Sequence, residues 1–505
     1  MIEKYQYKDF NIEIFDNQKK HLFILNNIKK FINSKNKNNL KIFFKTLNEN
    51  YAIIFNSRKI SFGITDQIAS LPIFFDKTKK IFSFESTKIN DYQNINKLAF
   101  ETITRTGYCI NNQTLLTHIH QLSPGTIMDS FGNITKYFEY LPNKQINYSP
   151  NDLDKCLNDI FINYKKIILK GSKIYLSLSA GKDSRLIAAK LKEHNFVNVI
   201  CYSYGVKHSN DYKISKEVAK KFNFKYYFIE INKKKSFDIF KSKLRNKYWN
   251  NFFNINCIPN MQDFYALYIL KEKKILQGKN NFFINGQTAD FLTGAHLIND
   301  KKPNDLIKKF YLKNFTLLNQ SKISTNIIKI LHKDYYKISK IYSSKKIFNQ
   351  NYIFLNKWEY EERQSKFILQ QQRCYEFFNQ NWLLPFWEKK FINFWRNINF
   401  NSLKNQNFYK EYLMYYDLNQ CFSKIQYEYN VKQFGKYNFI IRLLANILSF
   451  FVGKRIAYNL FLIFNINNYH FFSLGVFFYI KNILYIRNIN SIYLQKWIKK
   501  IKLNF

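Results

Sequence analysis

The six residues Ser179-Ala180-Gly181-Lys182-Asp183-Ser184 combine two hydroxyls, two positions with little or no side chain, and a carboxylate. Small side chains let backbone N–H groups close around a phosphate, Ser179 and Ser184 offer hydroxyls, and a helix starting near Ser184 adds its positive dipole end. Asp183 would repel a bare phosphate. Its presence there makes chemical sense when a divalent cation, most naturally magnesium, bridges it to the phosphates. A second carboxylate, Asp290, ends the stretch Asn285-Gly286-Gln287-Thr288-Ala289-Asp290 and could complete that cation site. Taken as six residues alone, the loop could equally be a small-residue turn with a capping Asp.

Elements on either side of these loops have to position them. Before residue 145 the chain reads as short β-rich runs with turns: "YAIIF" (51–55), "ISFGI" (60–64), "LPIFF" (71–75) and a Pro-Gly, Gly-Asn punctuated stretch over 123–140. That predicts an all-β, sandwich-like layer. Ser149 as N-cap, Pro150 at the first helical position and Asp152 in the first turn mark a helix start after a linker. From there helices alternate with strands: "KIYLSLS" (173–179), "SRLIAAKLKE" (184–193), "VNVICYSY" (197–204), a helix over 211–222, "KYYFIEI" (225–231) and "FFING" (282–286). This rhythm predicts an α/β domain with a parallel sheet covered on both faces. Ligands of such sheets bind beyond the carboxyl ends of the strands, where both loops fall. The expected division is 1–145, 150–435, and a helical, apolar and basic C-terminal extension over 436–505.

The formal charge of +44 invites a nucleic-acid partner. The excess is spread along the chain, and only ten of its 79 basic residues are Arg, so no local face suited to bidentate base or phosphate contacts stands out and no nucleic-acid partner is expected. The most apolar stretch, 439–464, is broken by Arg442, Lys454 and Arg455. It is too interrupted to cross a bilayer. A buried helix pair is the expectation there, with peripheral membrane contact as the alternative. The first ten residues lack the pattern of a secretory signal, so a cytoplasmic location is expected. Six well-separated cysteines form no CxxC pair and are expected to be reduced core residues. His118 and His120 alternate on a strand and are read as structural.

The order of these blocks resembles the asparagine synthetase family. That family's PP-loop, SGGxDS, reads Ser179 to Ser184 here; its next strand and helix resemble residues 201–231, its SGEGADE block resembles "NGQTADFLTGAH" (285–296), and its RVPFLD block resembles "LLPFWE" (383–388). Earlier in the chain, "TDQIASLPIFF" (65–75) is similar to RDxxGxxPLYY at the end of the family's glutamine amidotransferase domain, with Ala69 in place of Gly. The resemblance spans residues 40–425. It implies a degenerate, Ntn-hydrolase-like sandwich followed by a PP-loop domain of the adenine nucleotide alpha-hydrolase type. ATP and magnesium are the implied cofactors. Ser179, Gly181, Asp183 and Ser184 would face the phosphates, Leu178, Tyr204, Asn285 and Gly286 the adenosine, and Asp183 with Asp290 the metal. A phosphate-steadying Lys is implied after the "FYKEYL" helix (408–413), with Lys424 and Lys432 both candidates.

Departures from the family shape the expected function. The family's glutaminase uses a Cys directly after Met1, whereas Ile2 stands here and no Cys precedes Cys109. Glutamine hydrolysis is therefore not expected unless the true start lies upstream, which would restore a full glutamine-hydrolysing asparagine synthase. Gln287 replaces the Glu thought to assist proton transfer, and an amide cannot act as a base. Phe291 replaces the Glu that follows Asp290. The resemblance implies an ATP-dependent carbon–nitrogen ligase joining a carboxylate, small or glycan-linked, to an amine or ammonia through an acyl-adenylate. A silent nucleotide-binding homologue is the alternative. Arg363 and Arg373 are candidates for pairing with a substrate carboxylate, or with Glu361 and Glu362. The long spacing from Arg363 to Pro385 is similar to that of asparagine-synthase-related proteins that modify bacterial surface polysaccharides.

Overall fold

The computed structural model describes residues 2–7, 10–16, 24–26, 28, 37–47, 50–58, 61–85, 94–142, 144–207, 209–251, 255–279, 281–298, 302–318, 323–342, 350–424, 438–453, 456–457, 459–460 and 473–504. Alternating apolar residues build two antiparallel sheets in the first part of the chain. One has the order β1 (Ile2–Gln6), β2 (Phe10–Asp16), β3 (Tyr51–Ser57), β4 (Ser61–Thr65), β8 (Thr126–Asp129), β9 (Ile134–Lys136). The other is β6 (Ile81–Ser83), β5 (Phe74–Asp76), β7 (Ile119–Gln121). They meet where Gly63 faces Phe82 and Leu122, too close for a side chain at that position.

This layer is not all-β as the sequence suggested. Helix α1 (Lys97–Thr106) lies within it, because Asn96 caps the N–H groups of Leu98 and Ala99 and Gly107 closes the last turn in the left-handed region. The stretch 65–75 is mostly a turn wound on Asp66. Its carboxylate accepts the N–H groups of Tyr51 at 2.9 Å and of Ile68 and Ser70 at 3.0 Å. Ala69 holds φ at +51°, a left-handed conformation that glycine adopts more easily.

Helix α2 (Pro150–Ile167) begins as expected, with a full capping box between Ser149 and Asp152. It leads into a five-stranded, all-parallel sheet of order β12 (Lys225–Glu230), β11 (Val199–Gly205), β10 (Ile174–Ser177), β13 (Phe282–Ile284), β14 (Asn381–Leu383). Strand β10 pairs with β11 on one side and β13 on the other, so the order of connection reverses between β10 and β13. Such a reversal leaves a crevice at the strands' carboxyl ends. Helix α3 (Lys182–Glu193) follows β10 and helix α4 (Asn210–Lys221) follows β11. Strand β14 was not legible in the sequence; Asn281 positions it by donating to Gln380 at 2.9 Å.

The apolar core is continuous from Phe15 in β2 to Trp497 near the end of the chain. The C-terminal segment is tied to the sheet domain by Tyr265, whose hydroxyl bonds Ser473 at 2.7 Å and Tyr493 at 3.0 Å. The expected buried helix pair over 439–464 is corrected. The helix Asn438–Val452 carries large apolar side chains that remain exposed, and residues 454, 455, 458 and 461–464 lie outside the described residues. Among the described residues, too few apolar partners surround this helix to cover it.

One glycine keys the later helices to the sheet. Gly294 holds φ at +99°, and a Cβ there would sit 2.2 Å from the Leu403 carbonyl oxygen. Gly294→Ala combines backbone strain with a backbone clash and is expected to cost about 3 kcal/mol, read as a lower midpoint in urea denaturation.

Candidate functional site

The two loops singled out by chemistry meet at the crevice. Parallel pairing sets Ile174 against Phe282 and Leu176 against Ile284, so the residues after β10 and after β13 emerge side by side. Gly286 makes the approach possible: a Cβ there would lie 3.0 Å from the Asp183 Cβ and 3.2 Å from the Ser184 nitrogen. Asp183 and Asp290 therefore share one cleft.

Helix α3 starts two residues earlier than the sequence suggested, which puts Asp183 in its first turn with Gly181 as an N-cap that offers no side-chain bond. The first-turn N–H groups of Lys182, Asp183 and Ser184 have no intrahelical carbonyl to take them. They are the donors left for an anion. By contrast, the N–H groups expected to cradle it are engaged: Ser179 donates to Ser184 Oγ at 3.0 Å, Ala180 to Asp211 Oδ1 at 2.9 Å and Gly181 to Ser179 Oγ at 3.1 Å. The two serine hydroxyls lie 3.1 Å apart and brace the loop. The N–H groups open to a ligand are thus those of the helix start and not those of residues 179–181.

Charge in the cleft is unbalanced. Burial first, and then the Asp290 carboxylate, push the Asp183 carboxyl up from 3.8 to about 7, against a hydrogen bond from Tyr409 and the charges of Lys182 and Arg185. Tyr409 Oη donates to Asp183 Oδ1 at 2.8 Å. Asp290 is exposed to solvent. Two carboxylates repelling each other beside free N–H donors fit a hard cation shared with phosphate oxygens, and magnesium takes such oxygen ligands with several waters retained. No cluster of three or more His, Cys, Asp or Glu side chains suited to a metal occurs among the described residues.

The positions expected to face adenosine divide. Leu178 is buried with its N–H on the Tyr202 carbonyl and its own carbonyl accepting Ser215, both engaged in the fold. Tyr204 and Asn285 are drawn together by a residue the sequence did not single out, the buried Asp263. Tyr204 Oη donates to Asp263 at 2.6 Å, Tyr375 Oη donates to the other carboxylate oxygen, and Asn285 donates to Tyr375 Oη at 3.1 Å. Burial raises the Asp263 carboxyl, and the two tyrosine bonds work against that rise.

The Gln287 side chain is engaged by two neighbouring amides. Its amide donates to Gln371 and accepts from Gln372 at 2.7 Å, a ladder of amides along the segment after Glu359–Ile368, a run of wide π-helical turns. Phe291 is buried in the interface with the first layer, near Tyr140 and Tyr360. The ion pairs of the two arginines offered for a substrate carboxylate are with neither Glu361 nor Glu362. Arg363 binds Glu359 at 2.5 Å and Arg373 binds Glu376 at 2.9 Å, each one helical turn away. Glu361 and Glu362 instead bind Lys357 and Lys366.

Helix α5 (Asn407–Tyr416), read in the sequence only as the element before a catalytic Lys, contributes Tyr409 itself. Lys182 stacks above the Tyr409 ring at 5.3 Å and donates to Gln406. Lys424 is exposed, with no side-chain bond to the loops among the described residues, and Lys432 lies outside the described residues. Arg185 reaches the Cys421 carbonyl at 2.8 Å. A cleft of about 900 Å³ lies elsewhere, lined by Phe75, His120, Met128 and Lys136 of the first layer and by Ile338 of the helix Thr325–Tyr342. It includes no residue of 178–185 or 285–290.

No protein-family model and no curated protein sequence matches the chain. Among solved structures, it is similar to an NH3-dependent NAD synthetase from Campylobacter jejuni at 15% identity and a TM-score of 0.24, covering 43% of this chain and 96% of that one. It is also similar to an NMN synthetase from Francisella tularensis at 14% identity and a TM-score of 0.20, covering 52% and 97%. A third, the U34-tRNA thiolase NcsA from Methanococcus maripaludis, has 14% identity and a TM-score of 0.20, covering 54% and 80%.

The raised Asp183 carboxyl has a thermodynamic signature. Between its unfolded value of 3.8 and its folded value of about 7, the folded metal-free protein binds the extra proton, so stability falls as pH rises through that window. Asp183→Asn removes the effect. Urea denaturation at pH 5 and pH 8 should show the wild type losing more stability than the variant, by a few kcal/mol at most because the side chain keeps some water.

Proposed function

We propose that this chain is an ATP-dependent carbon–nitrogen ligase of the PP-loop kind, activating a carboxylate as an acyl-adenylate. The reading is carried by one observation: Asp183 and Asp290 face one crevice, over an uncapped helix start, where a parallel sheet reverses its order of connection. Magnesium held by these carboxylates would offset negative charge on the phosphates.

In the first step, a substrate carboxylate oxygen forms a bond to the α-phosphorus of ATP as the bond to pyrophosphate breaks. The N–H groups of Lys182, Asp183 and Ser184 and the Lys182 amine receive the departing charge. Tyr409 holds the Asp183 carboxylate in place. In the second step, an amine nitrogen attacks the acyl carbon and AMP leaves. Gln287 cannot take the proton that the nitrogen sheds, so the amine enters neutral or another group accepts it.

The nitrogen donor is proposed to be a free amine or ammonia. All six cysteines are buried or half-buried. Burial raises Cys109, Cys156, Cys201, Cys374 and Cys421, the opposite of what an activated thiolate requires. The acceptor carboxylate, small or glycan-linked, remains a proposal from the family resemblance, as do Lys424 and Lys432 as phosphate-steadying residues.

A second reading is favoured by the amide ladder that occupies Gln287: a nucleotide-binding homologue without ligase chemistry. Exchange of labelled pyrophosphate into ATP separates the two. The ligase should exchange in the presence of one carboxylate from a broad panel, and Asp183→Asn and Asp290→Asn should each lower exchange by ~100-fold or more while leaving the melting curve cooperative. ATP binding by calorimetry with no exchange on any carboxylate would establish the second reading instead. Gln287→Glu is expected to speed amide formation with ammonia, measured as AMP release, without changing the exchange rate.

A further inference from the structure

The C-terminal 70 residues, 436–505, carry ten Lys and Arg and not one Asp or Glu. The helix Asn438–Val452 within them presents Ile440, Leu443, Leu444, Ile447, Phe450 and Phe451, each between 48% and 89% exposed. Their spacing of three, four, seven, ten and eleven residues places them along one helical stripe. A later helix, Val476–Lys481, adds Phe477, 91% exposed, and Ile480. Large apolar side chains clustered this way in water are costly, and monomeric proteins seldom leave such patches uncovered.

We propose that this stripe docks on an anionic lipid surface, with the helix lying in the plane of the interface. Length excludes a crossing: fifteen residues rise about 22 Å, short of the roughly 30 Å hydrocarbon core. No helix among the described residues is long and apolar enough to span a bilayer. Charge selects the surface. An acid-free basic segment around an apolar stripe is attracted to anionic headgroups, at about 1 kcal/mol for each Lys or Arg near them, and the apolar stripe then enters the acyl boundary. A second copy of this chain would bring an equally basic, acid-free segment against the first, so self-association through this face is opposed by charge.

The far end of the segment is anchored to the sheet domain. Ser491 Oγ donates to the Leu317 carbonyl at 2.7 Å and Arg487 to the Lys313 carbonyl at 3.1 Å. Docking would therefore tether the sheet domain to the membrane surface.

The test uses the full chain with vesicles of phosphatidylcholine, alone or mixed with phosphatidylglycerol, and reads co-sedimentation. The protein is expected to sediment with the anionic vesicles, far less with phosphatidylcholine alone, and less as salt is raised. Phe450→Glu with Phe451→Glu should lower the partition coefficient about a hundredfold, about tenfold for each phenylalanine. Both side chains are exposed, so the melting temperature should not change. No sedimentation with anionic vesicles, equal sedimentation of the double variant, or binding indifferent to salt would each overturn the proposal. So would a dimer in light scattering that the double variant turns into a monomer while neither protein binds vesicles.

Discussion

The structure depends on the parallel pairing of β10 with β13. Three residues of register, from Ile174 opposite Phe282 to Leu176 opposite Ile284, decide that the small-residue loop and the Asp290 loop leave the sheet together. Gly286 then lets the second loop press against Asp183 with no side chain between them. Two carboxylates close together in a half-buried cleft are electrostatically unfavourable, and the protein spends one tyrosine hydroxyl and two nearby cations on holding the arrangement. A cation and phosphates bound there would relieve what the folded chain alone does not.

Around that pair, polar groups are fixed by other polar groups. Asp263 gathers Tyr204, Tyr375 and, through Tyr375, Asn285, so that the ends of β11 and β13 are held to one buried carboxylate. The segment from Glu359 to Gln372 does similar work on the opposite wall. Gln364 accepts from Thr288 at 3.0 Å, while Gln371 and Gln372 fasten Gln287. Its other side faces the first layer: Glu362 accepts the Asn111 N–H at 2.9 Å, and Tyr360 stacks on Tyr140 at 4.5 Å. Site walls and the contact between the two layers are thus made by one stretch of chain, which is a physical reason for its dense pairing of buried charges.

The excess of lysine acquires different meanings in different places. Lys190 is fully buried and satisfied by Asp154 at 2.7 Å and Glu193 at 2.8 Å, and Lys366 is held by Glu362 at 2.7 Å, so these lysines belong to the interior. In the C-terminal 70 residues no acid is present to answer the charge. The same residue type is structural where carboxylates surround it and exposed at Lys481, Lys496 and Lys499.

The sequence by itself determined the local features: the capping box at Ser149, the strand and helix alternation after residue 150, and the small-residue loop with its carboxylate. These depend on periodicity, caps and turn chemistry within a few residues. Only the tertiary structure decided that Tyr409 and Asp263 belong to the site, 226 residues and 59 residues from their hydrogen-bond partners Asp183 and Tyr204. It also decided that Arg363 and Arg373 are spent on neighbouring glutamates, that β14 closes the sheet, and that helix Asn438–Val452 stays uncovered among the described residues. Side-chain hydrogen bonds across such distances leave no periodic trace in the chain, and an apolar stripe looks the same in sequence whether a core covers it or not. What covers it is set by the packing of everything else.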